Sequence, residues 1–232
     1  MRLLLLASIC LFFSKTAVAG ESYINPFDEA MAYYKNRNSD FSESVSYEKF
    51  SSLAIAGNIR AKVLTYMVFY EFTDSLANKA NEAVKFLVEA AQSGDHEAQY
   101  FLGFIISNGI FVEQNVELAN KWLKSSAEQG NRQACTLLGI NLVTKFMGQL
   151  SENESSRLSN SDFDKIRHYL KHVEAMNNAN GILALATVIF FHEQNFEEAK
   201  RLLSIAKDLG HSDANEFLID LISLEKKLRA EE

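Results

Sequence analysis

Residues 98–130 read AQYFLGFIISNGIFVEQNVELANKWLKSSAEQG, and the spacing within this stretch decides the fold class. Ala119, Trp122, Leu123 and Ala127 recur at helical steps, so one face of a helix is apolar just before Gly130. Gly130 stands four residues before Ala134, and the same step separates Gly57 from Ala61, Gly94 from Ala98 and Gly210 from Ala214. Three of these glycines also follow an alanine by three residues (Ala54, Ala91, Ala127); before Gly210 the alanine is displaced by one, to Ala206. Asn178 fits a fifth slot, with Ala175 before it and Ile182 where the alanine would be. Asparagine tolerates the left-handed conformation that ends a helix, so this exchange for glycine is physically mild.

Further stripes precede the other turns. Ala80, Ala83, Val84, Leu87, Val88 and Ala91 form one, Tyr169, Leu170, Val173 and Ala175 a second, and Phe196, Ala199, Leu203 and Ala206 a third. A second helix is expected after each turn, its small alanine permitting close approach, so each unit is a helical hairpin. The turns follow one another at 37, 36, 48 and 32 residues. Hairpins of this length bury their apolar faces by stacking on neighbours. The expected fold is all-α, an α/α superhelical solenoid of about five helical hairpins plus a C-terminal capping helix. The cap is expected over His211 to Leu228, with Phe217, Leu218, Leu221, Ile222 and Leu224 inward.

The composition agrees. A single proline, Pro26, in 232 residues leaves long helices uninterrupted, and 47% hydrophobic against 23% charged residues is the balance of a folded protein. The long interval contains Gly148 to Asp162, where Ser151, Ser155, Ser156, Ser159 and Ser161 mingle with Asn153, Asn160 and acids; a mobile polar insertion, not a packed helix, is expected there. The expected organisation is thus 1–19 a signal peptide, 20–47 the start of an N-terminal hairpin, 48–147 the clearest repeats, 148–162 the insertion, and 163–228 degenerate repeats and cap.

Residues 1–19 carry the signal pattern: Arg2, an apolar run from Leu3 to Phe13, and Ala17-Val18-Ala19 before Gly20. The run is about 11 residues where a bilayer span needs about 20, so cleavage after Ala19 is expected over a retained anchor. Cleavage removes Arg2 and Lys15 from the 23 basic residues, leaving 21 against 30 acidic ones, a net charge near −9. Nucleic acid and anionic lipid demand clustered Lys and Arg, so neither is an expected partner, and a membrane enters only if the signal is retained. Cys10 leaves with the signal and Cys135 stands alone, so apolar packing must hold the fold together without an internal disulfide.

The stretch from Ala98 to Gly130 resembles the Sel-1-like repeat, a relative of the tetratricopeptide repeat. The positions that carry the resemblance are Ala98, Leu102-Gly103, Gly109, Val112, Asn115, Ala119, Trp122, Ala127 and Gly130, with Ile106 where the family has an aromatic; Ala134 and Leu138-Gly139 repeat its beginning. Phe27 to Gly57 is similar to a plain tetratricopeptide hairpin, with Pro26 at a helix start and Asp40 or Ser42 opening the second helix. The resemblance implies that the first helix of each hairpin lines a concave groove in which another protein or peptide lies. Register against Leu102-Gly103 puts Arg60, Val63, Met67 and Tyr70 in that groove, then Glu97, Tyr100, Phe104 and Ser107, then Gln133, Thr136, Ile140 and Val143. Tyr70, Tyr100 and Phe104 would supply rigid contact area, with Glu97, Ser107 and Arg60 as polar companions. The bland alternative is that these aromatics are core.

Signs of catalysis are sparse. The sequence has no glycine-rich phosphate loop, nucleophile elbow, paired-cysteine metal site or HExxH helix. His168 and His172 stand at i and i+4, but a metal needs a third ligand, so no metal and no cofactor are expected. Cys135 is expected to be a buried, inert thiol, because neither His96 nor His211 is placed as its base. Ser46-Tyr47-Glu48-Lys49 matches the SxxK string of penicillin-recognising enzymes without its companion motifs. Asn153-Glu154-Ser155 satisfies the N-glycosylation pattern. The expected function is a periplasmic or secreted, non-catalytic adaptor that binds another protein, envelope-associated or an immunity protein against a toxic effector. The alternatives are a hydrolase using Cys135 or Ser46, and a membrane-tethered scaffold with an uncleaved signal.

Overall fold

The structure, a computed structural model, describes residues 25–37, 41–152 and 157–230. These residues form helices α1 (Pro26–Asn36), α2 (Glu43–Ile55), α3 (Ile59–Glu71), α4 (Ala80–Gln92), α5 (His96–Asn108), α6 (Val116–Glu128), α7 (Arg132–Glu152), α8 (Asn160–Leu170), α9 (Ala179–Val188), α10 (Phe196–Asp208) and α11 (Ser212–Ala230). A π-turn over Ile189–Glu193 prolongs α9. They divide into two compact units, one up to Leu102 and one from Gly103, and α5 contributes to both. The candidate signal and the Asn153-Glu154-Ser155 tripeptide lie outside the described residues. Among the described residues no helix is long and apolar enough to cross a membrane.

One turn design joins helix to helix in both units. Gly130, at φ 88°, adopts a conformation that a side chain would strain. Its N–H donates to the Ala127 carbonyl at 2.9 Å, and the Asn131 N–H donates to Ser126 at 3.2 Å, so the last carbonyls of α6 are satisfied. The Asn131 side chain then accepts from Ala134 N at 3.0 Å and caps α7. Asn58 and Asp95 cap α3 and α5 in the same way, accepting from Ala61 and Ala98 at 2.9 Å.

The fourth turn corrects the sequence reading by one residue. Asn177, at φ 49°, is the left-handed residue, and Asn178, at φ −89°, is the cap, accepting from Gly181 N at 2.8 Å. The small position therefore falls on Gly181, not Ile182. A Cβ on Gly181 would stand 2.5 Å from Val173 Cγ1 and 3.0 Å from Thr136 Cγ2, so α9 approaches its neighbours too closely for a larger residue.

In the first unit Asn25 caps α1 with Pro26 at its first position, and Ser42, which accepts from Val45 N at 3.5 Å, opens α2. Asp40 lies outside the described residues. Helix α3 is buried on every side from Ala61 to Phe69 except at Lys62, whose ammonium reaches Glu89 at 2.6 Å. A helix apolar all round belongs in the middle of its unit. In the second unit the core gathers Ile166, Leu170, Val173, Ile182, Ala186, Leu202 and Leu203 from α8, the turn after it, α9 and α10.

Three expectations change. Helix α7 continues past Gly148 to Glu152, and α8 begins at Asn160, so part of the expected insertion is helical. Serines serve its ends: Ser151 Oγ donates to Gly148 O at 2.7 Å, and Ser159 accepts from Asp162 N at 3.1 Å. In α4 the buried residues are Ala83, Phe86, Leu87, Ala90 and Ala91, while Ala175 is exposed in the turn after α8. On α11 Leu221 is buried and Phe217 and Leu218 half-buried, but Ile222 and Leu224 stand 36% and 39% exposed.

Candidate functional site

The first helices of successive hairpins in the first unit are tied together by side chains one repeat apart. Tyr34 Oη on α1 donates to Glu71 on α3, 37 residues on, and Arg60 on α3 pairs with Glu97 on α5, again 37 residues on. Arg37 joins Glu71 at 2.7 Å and lies over the rings of Tyr34, Phe41 and Phe72. Tyr47 on α2 donates to Glu82 on α4 at 3.1 Å. These links fix the register in which α3 and α5 present their remaining side chains.

On those two helices tyrosines gather. Tyr66 stacks on Tyr70 at 6.1 Å and lies 5.9 Å from Phe101, which is 5.2 Å from Tyr100. Burial, with Tyr70 nearby, pushes the Tyr100 phenol up to about 12, and burial beside Tyr70 and Tyr100 pushes Tyr66 upward too. Tyr66 is wholly buried, and its Oη has no hydrogen-bond partner among the described residues. A buried hydroxyl left without a partner costs ~1–3 kcal/mol. Sequence reasoning missed Tyr66. It stands nine residues after Gly57, where the later repeats have the close-packing Gly103 and Gly139, and that register was its only signal.

The structure thus brings Arg60 to Glu97 and sets Tyr70 and Tyr100 about Tyr66, all four expected residues being half-buried. Phe104 and Ser107 belong to the second unit and are also half-buried; their carbonyls accept from Asn108 and Gln114 at 2.8 and 2.9 Å. Gln133 and Ile140 are half-buried. Val63, Met67, Thr136 and Val143 are buried, so these four groove positions are core. Their helices bury a wider arc than one stripe.

The remaining candidates show ordinary environments. Ser46 is wholly buried with its Oγ unpartnered among the described residues, while Lys49 is held by Glu29 at 2.8 Å. Burial pushes the half-buried Cys135 thiol up, away from the thiolate. His168 is exposed on α8, and His172 lies in the turn beyond it, held below the usual histidine range by partial burial and by Arg132. Among the described residues no three His, Cys, Asp or Glu side chains are grouped to hold a metal.

The Sel1 repeat family model matches residues 96–131 and 190–211. Two segments of the chain match the Sel1 repeat. The second match covers the π-turn after α9, α10 and the turn after it, in the stretch whose sequence looked degenerate. A crystal structure of a Sel1 repeat protein from Oxalobacter formigenes is similar at 17% identity and a TM-score of 0.60, over 82% of this chain and 75% of that one. A protective antigen present in uropathogenic Escherichia coli strains, displaying an SLR fold, is similar at 16% identity and a TM-score of 0.50; 84% of this chain spans 48% of that one. No curated protein matches the sequence significantly. The fold is therefore the all-α solenoid class of Sel1 repeats, and Sel1 repeat proteins serve protein–protein interaction.

Proposed function

We propose that this Sel1-repeat chain is an exported, non-catalytic adaptor that holds another protein at the Arg60, Tyr70, Glu97 and Tyr100 side of its first unit. One observation carries the reading: two half-buried phenols, Tyr70 and Tyr100, lie near the buried Tyr66, whose Oη has no partner among the described residues, on the same two repeat helices that the Arg60–Glu97 pair ties together. Aromatic area held rigid by packing, with polar atoms beside it, is the kind of surface on which binding energy concentrates.

Replacing Tyr70 and Tyr100 together by alanine tests it. Cross-linking pull-down from the native host captures the partner with the parent chain and loses it with the variant, while the melting temperature is largely kept. A large thermal loss instead assigns both rings to the core. An adaptor at the envelope and an immunity protein against a toxic effector both fit, and the identity of the captured protein separates them. Export rests on residues 1–19; the exported chain begins at Gly20 on N-terminal sequencing, and a start at Met1 selects the tethered scaffold instead.

A further inference from the structure

Count from the left-handed residue of each turn, and positions nine and twelve are where a repeat helix receives the next helix. They are Tyr66 and Phe69 on α3, Gly103 and Ile106 on α5, Gly139 and Leu142 on α7, and Ala186 on α9 with Ile189 in the π-turn that prolongs it; all are buried except the half-buried Leu142. Contacts show what they receive: Gly103 lies against Leu123 of α6, and Gly139 against Leu170 of α8. On α11 the same two positions hold Ile219 and Ile222, which are 59% and 36% exposed. Among the described residues no helix covers these two isoleucines.

Charge says what covers them. The first half of α11 carries Asp213, Glu216 and Asp220, and the second half Lys226, Lys227 and Arg229 together with Glu225, whose carboxylate is taken up by Lys200 and Arg229. Glu216, Asp220, Lys226 and Lys227 make no ion pair among the described residues, whereas Arg229 pairs with Glu225 on its own helix. A parallel copy of α11 would set like charges together. An antiparallel copy sets the acidic half against the basic half, brings Ile219 of each chain to Ile222 of the other, and closes by two-fold symmetry.

We propose that two copies of the chain associate through α11, antiparallel, with Ile219 and Ile222 at the centre. With two apolar side chains per copy and solvated charge pairs, the dimer is weak and loosens with salt. Sedimentation velocity on the full chain tests this over a wide concentration range. A monomer–dimer equilibrium weakened by salt is expected. Ile219→Lys with Ile222→Lys gives monomer throughout at an unchanged melting temperature, because neither side chain is in the core. Glu216→Lys weakens the dimer, and adding Lys226→Glu restores it. A parent chain that stays monomeric overturns the proposal, as does a dimer that survives the isoleucine changes, growth into larger open-ended species, or failure of the charge exchange to rescue.

Discussion

The Arg60–Glu97 pair shows how differently one contact weighs in stability and in binding. Its side chains are 33% and 27% exposed, so water screens the attraction and the pair is worth ~0.2–1 kcal/mol to folding. Arg60→Ala is therefore expected to lower the melting temperature by no more than about 2–4 °C, since ~1 kcal/mol corresponds to that shift in a protein of this size. Partner capture should fall far more, because Arg60 shares its helix with Tyr70 and ties it to the helix of Tyr100 at the proposed contact; calorimetry beside pull-down reads both. Register set Arg60, Tyr70, Glu97 and Tyr100 on the expected groove because it counts positions without knowing burial. It failed for Val63, Met67, Thr136 and Val143 for the same reason, and it overlooked Tyr66, whose interest lies in an unpartnered oxygen. A missing hydrogen bond leaves no trace in sequence.

Helix and turn obey a rule only half visible in the sequence. Glycine followed four residues later by alanine marked four turns, yet the residue after the glycine does as much, capping the next helix through Asn58, Asp95 and Asn131. Once the cap is included, Asn177-Asn178 falls into place and Gly181 takes the small slot. The reason is compensation. Four residues before the left-handed residue the chain has Leu53, Ala90, Ser126 and Ala206 at the other turns, Leu53 being only half-buried, but at this one the wholly buried Val173, and the bulk buried there is matched by Gly181. Gly181→Ala gains up to ~1 kcal/mol of helix propensity and loses ~1–3 kcal/mol to overpacking, so net destabilisation is expected. Val173→Ala in the same chain should return part of that loss, with a coupling of ~0.5–3 kcal/mol in a double-mutant cycle by denaturant unfolding. Additive effects would mean that the two sites relax independently.

Across the whole molecule tyrosine is distributed unevenly, and this sets a pH response. Tyr34, Tyr47, Tyr66 and Tyr100 all lie in the first unit, and burial pushes each phenol above its ordinary value, with carboxylate neighbours adding to the shift for Tyr34 and Tyr47. The second unit's described tyrosine is Tyr169. A phenol whose folded pKa is raised binds its proton more tightly folded than unfolded. Its contribution is therefore fully present below about pH 10 and is lost as pH rises through the folded value, which for Tyr100 is about 12. Four such groups in one unit add in the same direction. Alkaline titration should melt the helices up to Leu102 before those from Gly103 on, because repeat arrays lose structure locally when neighbouring interfaces differ in stability. Tyrosinate absorbance followed beside hydrogen exchange resolved by helix reads this. Protection should fall first in α3, as the phenols ionise cooperatively above pH 10, while α10 is retained. Simultaneous loss in both units would show that the array unfolds as one cooperative body.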